Sequence, residues 1–405
     1  MNKVSCNVFV LLNCDKKIRE FFEWDVFEFW MTMNQQANKT LFQHIVDAII
    51  AHNGWITFSH YMNMALYFPH LGYYMNSNTQ LGAGGDFVTA PELTPSFAKI
   101  LAKQIAQLLP HCGNTIYELG AGSGVLARDL LQALAVMGVI PNHYRILEIS
   151  PSLIQKQQTV LGAYLGKARP LVQWINTLPE QIEGVLLGNE LLDAMPCEVV
   201  HWTPSQIFHR GVSCNDGQLE WVDKPIKDKS LLALAQQIDP IGDYISEINC
   251  SHRTLVADLA KRLIRGAILF IDYGFSQREY YHSQRSHGTL MGHYQQRIVD
   301  DPFFRPGQID LTAHVDFTAI AQTAVMNDLT LIGYTTQANF LINGGILEVL
   351  STLKVASPAY IKETVAVQKL LSIAEMGELF KVIGLGRNIP DNWFCFKKKT
   401  AVTSR

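Results

Sequence analysis

A strand-like run in this chain ends in five small residues that leave room for a ligand. Tyr117-Glu118-Leu119 is followed by Gly120-Ala121-Gly122-Ser123-Gly124, and Leu126, Leu130, Ala133 and Leu134 then recur on one helical face. A strand that turns through glycines into a helix lets the backbone approach a nucleoside and aims the helix N-terminus at it. Gly122, Gly124 and Ala127 also satisfy G-x-G-x-x-A, the dinucleotide fingerprint, so NAD and S-adenosylmethionine compete for this loop. Glu118 favours S-adenosylmethionine, because a carboxylate suits a ligand carrying an ammonium and a sulfonium and is unhelpful beside a pyrophosphate. Glu148 ends the next strand-like run, Tyr144–Leu147, where a carboxylate can accept both ribose hydroxyls of either cofactor. A tight strand–helix turn without a ligand is the alternative.

Three further groups of residues could carry chemistry. Asn189, Glu190 and Asp193 follow a fourth predicted strand and stand within one helical turn. They read equally well as polar groups of a site or as an N-cap with acids in the first turn of a helix. Asp86, Thr89 and Glu92 lie on a loop leading into a helix, where Thr89 before Pro91 and Glu92 is also ordinary helix-start chemistry. Asp310, Thr312, His314 and Asp316 read as the start of a helix through Val325; His314 is either a histidine with a satisfied hydrogen bond or a general base. His282, His287 and His293 are clustered without metal-ligand spacing, and H-E-x-x-H is absent, so no metal is expected. The chain has no G-x-S-x-G elbow, no Walker loop and no Cys-His signature, which closes the hydrolase and kinase readings.

The elements that must position these groups alternate. Thr40 and Gln43 form a capping-box pair ahead of Leu41, Ile45, Ala48 and Ile49, and Gly54 closes that helix. Thr57 to Tyr67 and Pro91 to Leu109 read as further helices. Strands are expected at Thr115–Leu119, Tyr144–Leu147, Leu171–Ile175, Gly184–Leu187 and Gly266–Ile271. A sixth is expected at Leu329–Tyr334, and a last one at Val382–Leu385 or Trp393–Phe396. Alternating strands and helices predict an α/β fold, a Rossmann-like parallel sheet with helices on both faces. Short alternating runs around His201, Phe208 and Trp221 predict an inserted β-hairpin region over 197–253, and 275–315 is polar and turn-rich. The expected organisation is an N-terminal extension over 1–38, a helical cap over 39–110, and a domain over 111–400 carrying these two insertions. Residues 1–38 set Phe21, Phe22, Trp24, Phe27, Phe29 and Trp30 among acids and are expected to be peripheral.

With 405 residues, 48% of them hydrophobic and 17% charged, the chain can bury a sizeable core, which excludes disordered and disulfide-scaffold classes. A net charge of −3, with one short cationic cluster at Lys397, Lys398 and Lys399, gives no footprint for nucleic acid. The seven cysteines are scattered and form no C-x-x-C, as in a reducing compartment. No apolar run approaches the roughly 18 residues of a membrane span. Val8–Leu12 is too short for a signal-peptide core, and Asp15, Glu20, Glu23, Asp25 and Glu28 are wrong for a transit peptide. The expectation is a cytoplasmic protein that does not insert into membranes.

Seven segments in order, from Ile56 to Arg387, resemble the MidA-type class I methyltransferases, a group that includes a mitochondrial complex I assembly-factor arginine methyltransferase. They are Ile56-Thr57-Phe58-Ser59-His60-Tyr61-Met62, Gly85-Asp86-Phe87-Val88-Thr89-Ala90-Pro91-Glu92, the glycine loop, Asn189-Glu190-Leu191-Leu192-Asp193-Ala194-Met195-Pro196, Asp272-Tyr273-Gly274, Asp310-Leu311-Thr312-Ala313-His314-Val315-Asp316-Phe317 and Met376-Gly377-Glu378-Leu379-Phe380-Lys381. The sequence departs from the family in its long N-terminus and between Tyr280 and Gln296, where the family tends to be more basic around Thr289-Leu290. The resemblance implies an S-adenosylmethionine-dependent methyltransferase acting on protein arginine. It implies cofactor contacts at Glu118, Gly120, Gly122, Gly124, Glu148 and Asn189, and closure of the Asp86–Thr89 segment over the cofactor. It points to Glu190, Asp193 and His314 as catalytic. A small-molecule methyltransferase and a cofactor-binding assembly factor that holds a partner protein remain alternatives.

Overall fold

The computed structural model of the 405-residue chain describes residues 39–76, 89–164, 172–238, 240 and 242–396. The expected extension over 1–38, Asp86 and the Lys397–Lys399 cluster lie outside the described residues. The chain divides into two compact units. One comprises the described parts of Met1–Thr79 with Ala194–Ser251 and Tyr281–Ala313; the other comprises those of Gln80–Asp193, His252–Tyr280 and His314–Arg405. Helix Pro95–Leu108, placed by the sequence with the N-terminal cap, therefore clusters with the central strands, and the hairpin strands cluster with the first helices.

The second unit is built on a mixed sheet. Its long strands are β1 (Thr115–Leu119), β2 (His143–Leu147), β3 (Val172–Ile175), β4 (Ile182–Asn189), β5 (Leu263–Phe275), β6 (Thr330–Thr336) and β7 (Phe380–Arg387), in the order β3-β2-β1-β4-β5-β7-β6. β7 runs antiparallel to both of its neighbours, whereas β3, β2, β1, β4 and β5 pair in parallel. All five residues of β1 are buried, as a parallel strand covered on both faces requires. Ile116, Leu130, Leu134, Val185, Leu187, Leu269, Ile271 and Val382 pack into one core that ties the sheet to its helices. The strand order reverses at β1 and β4, so the carboxyl ends of those strands diverge into the crevice where open α/β sheets take ligands.

The first unit holds a five-stranded antiparallel sheet. Ile207–Asn215 pairs with Glu198–Trp202, Gln218–Pro225 and Ile56–Thr57, and Tyr244–Ile248 borders Glu198–Trp202. Thr57 leaves this sheet and caps helix Phe58–Tyr67 by accepting the His60 N–H. Ser59 donates to Glu198 across 2.5 Å, and the other oxygen of Glu198 meets Nε2 of His209 at 2.8 Å.

Three expectations are corrected. The helix expected over Pro91–Leu109 is two helices, Ala90–Leu93 and Pro95–Leu108. Pro95 forces Thr94 into an extended conformation, from which its hydroxyl caps the second helix. The helix expected from Asp310 begins at Phe317 instead, with Asp316 as its N-cap. Asp310–Thr312 is a buried strand paired with Met291–Tyr294, and Val315–Asp316 pairs with Gly274–Phe275. No helix forms after Asn189, as described below. Of the two places offered for a last strand, Val382–Leu385 holds it, within β7, and Phe394–Phe396 is a 3₁₀ turn.

Candidate active site

The glycine loop leaves β1 through three left-handed residues, Gly120 at φ +69°, Gly122 at +51° and Gly124 at +84°, and Val125 opens the helix. Among the described residues, a Cβ on Gly122 would meet nothing within 4 Å, so this glycine faces open space among them. A Cβ on Gly124 would lie 3.1 Å from the Cα of Gln157. Glu118, one residue before the end of β1, is buried and accepts the Tyr144 hydroxyl at 2.8 Å. Burial pushes its pKa up to about 7, with the Tyr144 hydrogen bond opposing and the Glu148 charge adding to the rise.

Glu148, just past β2, is also buried. One of its oxygens accepts the N–H groups of Ile149 and Ser150, at 2.9 and 3.0 Å, and the other accepts the Gln157 amide at 3.0 Å. Burial raises its pKa against these donors. On the other flank of the glycine loop, the Ser123 hydroxyl donates to the carboxylate of Glu92. The Thr89–Glu92 segment thus meets the loop through Glu92, whereas Thr89 is the N-cap residue of Ala90–Leu93 without a side-chain cap bond.

The turn after β4 is held by a neighbouring strand. Glu190 sits at φ +49°, and the N–H groups of Leu191, Leu192 and Asp193 converge on Oδ2 of Asp272 at 3.0, 2.8 and 3.4 Å. A helix would direct these N–H groups along its axis; here a buried carboxylate on β5 gathers them, and Pro196 disfavours helical geometry at Met195. The helix-dipole reading of Glu190 and Asp193 therefore fails. His252 supports the same turn by donating from Nε2 to the Leu192 carbonyl at 2.5 Å, and burial lowers its pKa to about 4, which keeps the ring neutral.

Asp193 is 5% exposed and accepts the Tyr273 hydroxyl at 2.5 Å. Burial, and then the charges of Asp193 and Glu190, push the Asp272 pKa well above the usual carboxylate range. His314 stacks flat on Phe275 with ring centroids 5.2 Å apart and meets Tyr273 at 5.0 Å, nearly perpendicular. Asn189 Nδ2 donates to Glu190 at 2.9 Å, while its buried Oδ1 has no hydrogen-bond partner among the described residues.

The structure thus groups Glu118, Glu148 and the three glycines at the ends of β1 and β2. It groups Asn189, Glu190, Asp193 and, through Tyr273, His314 at the ends of β4 and β5. Sequence reasoning missed Tyr144, Gln157, Trp174 and His252, which carry no local signature. Asp272 and Tyr273 stood in a family-like segment but had no role there. The open face of Gly122 and the orphaned Oδ1 of Asn189 fit a nucleoside-bearing cofactor, one by admitting it and the other by accepting a hydrogen bond from it.

Comparison with known proteins agrees with this geometry. Residues 100–335 match the model of an S-adenosyl-L-methionine-dependent methyltransferase family. A crystal structure from Burkholderia thailandensis, bound to S-adenosyl-homocysteine, is 43% identical with a TM-score of 0.85, covering 89% of this chain and 95% of the other. Among curated proteins, protein arginine methyltransferase NDUFAF7 of Danio rerio is 28% identical over 86% of this chain and 87% of its own length. The Caenorhabditis elegans homolog is 29% identical over 73% and 74%. Both are named as mitochondrial, which overturns the cytoplasmic expectation. Among the described residues, no helix is long and apolar enough to cross a membrane. With the family model matched over more than half of its length and a 43% identical structure over 89% of it, this chain belongs to the MidA-type family of S-adenosyl-L-methionine-dependent methyltransferases.

Proposed function

We propose that the chain methylates arginine on a partner protein, with Glu190 and Asp193 holding the guanidinium beside the methyl donor. The observation that carries this reading is the Asn189–Asp193 turn, where Asp272 and Tyr273 fix two acids next to the cofactor strands. The curated relatives are named as protein arginine methyltransferases, which supports the choice of substrate.

Arginine is a poor nucleophile because its guanidinium has a pKa above about 12 and a delocalised charge. Carboxylates against the fork accept bidentate hydrogen bonds that fix its plane. They also draw positive charge toward the bonded nitrogens, which leaves another nitrogen more nucleophilic. The bound cofactor supplies a methyl group on a sulfonium, and its loss to nitrogen leaves S-adenosylhomocysteine. Glu148 takes the ribose hydroxyls, Gly120, Gly122 and Gly124 admit the nucleoside, and Asn189 offers its Oδ1. Glu118 faces the positively charged end of the cofactor, and Thr89 lies on the segment that meets the glycine loop through Glu92. His314, beside Tyr273, receives the proton that the methylated nitrogen releases.

The test incubates extract lacking this protein with the purified enzyme and radiolabelled S-adenosylmethionine, followed by mass spectrometry. Label on arginine of a discrete protein band is expected. Label on lysine, on a carboxylate or on a small metabolite defeats the assignment, and absence of label favours a cofactor-binding assembly factor.

A further inference from the structure

Gln157 lies on helix Pro151–Tyr164, is fully buried, and spends every polar hydrogen-bonding group it has on the cofactor-side elements. Its Nε2 donates one hydrogen to the Gly122 carbonyl and the other to Oε2 of Glu148, each at 3.0 Å. Its Oε1 accepts the Trp174 indole N–H at 2.8 Å, which fixes the orientation of the amide. Gly124 closes in on its backbone, since a Cβ there would come within 3.1 Å of the Gln157 Cα. One side chain therefore bridges the glycine loop after β1, the acid after β2 and the end of β3.

We infer that Gln157 is a positioning residue for the cofactor: it sets the distance between the glycine loop and the carboxylate of Glu148, and holds that carboxylate ready for the ribose hydroxyls. The inference rests on the reading that Glu148 takes the ribose. Glu148 has one oxygen committed to two backbone N–H groups, so Oε2 is the oxygen with directions left for a ligand, and Gln157 is the donor that steers it. The amide is needed for chemical reasons. A carboxylate at this position would face both the Glu148 carboxylate and a carbonyl with no hydrogen to give, and an apolar side chain would release both partners.

Calorimetry on the full chain tests this with S-adenosylhomocysteine and its 2′,3′-dideoxy analogue as probes. The wild type should prefer the ribose-bearing ligand. Gln157→Met should weaken S-adenosylhomocysteine by on the order of tenfold, one charged hydrogen bond's worth, and should nearly erase the preference. Gln157→Glu, which keeps the shape, should lose at least as much. Trp174→Phe, which frees the amide to rotate, should narrow the preference and serves if the other variants melt early. A wild type indifferent to the ribose hydroxyls overturns the role of Glu148 and this inference with it. A wild type that discriminates, alongside folded Gln157 variants that discriminate equally well, overturns the inference and leaves Glu148 in place.

Discussion

Tyr273 donates its hydroxyl to Oδ2 of Asp193 across 2.5 Å, while its own backbone N–H goes to Oδ1 of Asp272. One residue on β5 thus holds one acid by its side chain and a second by its main chain, and the second acid gathers the turn that carries the first. Asp193 is presented as a fixed group with one oxygen already satisfied. Asp193→Asn should keep S-adenosylhomocysteine affinity and melting temperature while lowering turnover by about a hundredfold or more, as expected when a charge that stabilises the transition state is removed. Tyr273→Phe should lower turnover less, with KM for the protein substrate little changed. Steady-state kinetics beside calorimetry reads the difference; equal losses of turnover and stability would make the pair structural.

Gly122 combines a left-handed backbone with a Cβ position that nothing among the described residues occupies. Gly122→Val should cost about 1–2 kcal/mol of stability for the forced conformation. Because the side chain would project where the cofactor must come, S-adenosylhomocysteine binding should be lost although the protein stays folded. Near-normal affinity in calorimetry would move the cofactor away from this loop.

The raised proton affinity of Glu118 gives a pH dependence with a definite sign. Its ordinary value is 4.5, and in the fold it lies at about 7. Between these values the unfolded chain releases the proton and the folded chain keeps it. This part of the stability is therefore fully present below about pH 4.5, falls as pH rises, and is gone above about 7. The slope is at most about 1.4 kcal/mol per pH unit. Denaturant melts of Glu118→Gln at pH 5 and pH 7.5 should differ less than those of the wild type. A cationic ligand at Glu118 should also release protons on binding at pH 6, measured as a dependence of the binding heat on the buffer, and the variant should not.

Methyl transfer should need no divalent ion. The methyl group leaves a sulfonium, so the site has mainly to align nucleophile and methyl at about 3–3.5 Å. His282, His287 and His293 lack ligand spacing in the chain. Full activity in EDTA is expected; loss that a divalent ion restores would refute this.

The sequence by itself determined the alternation of strands and helices, the glycine loop, and the acid that ends β2, because these depend on local periodicity and on residues that lie next to one another in the chain. Its resemblance to a family set the cofactor and the general site. Tertiary structure decided what holds the site. The turn at Glu190 reads as a helix start as long as its N–H groups have no visible partner; the partner, Asp272, is about 80 residues away and arrives only when β5 pairs with β4. Gln157 looks like one more polar residue of a helix until the sheet brings Gly122, Glu148 and Trp174 around it. His314 stacks on Phe275 and meets edge to face Tyr273, the residue on β5 that holds Asp193. Local pattern records which groups are available. Which of them meet is settled by strand pairing between distant segments, and a one-dimensional period carries no trace of that.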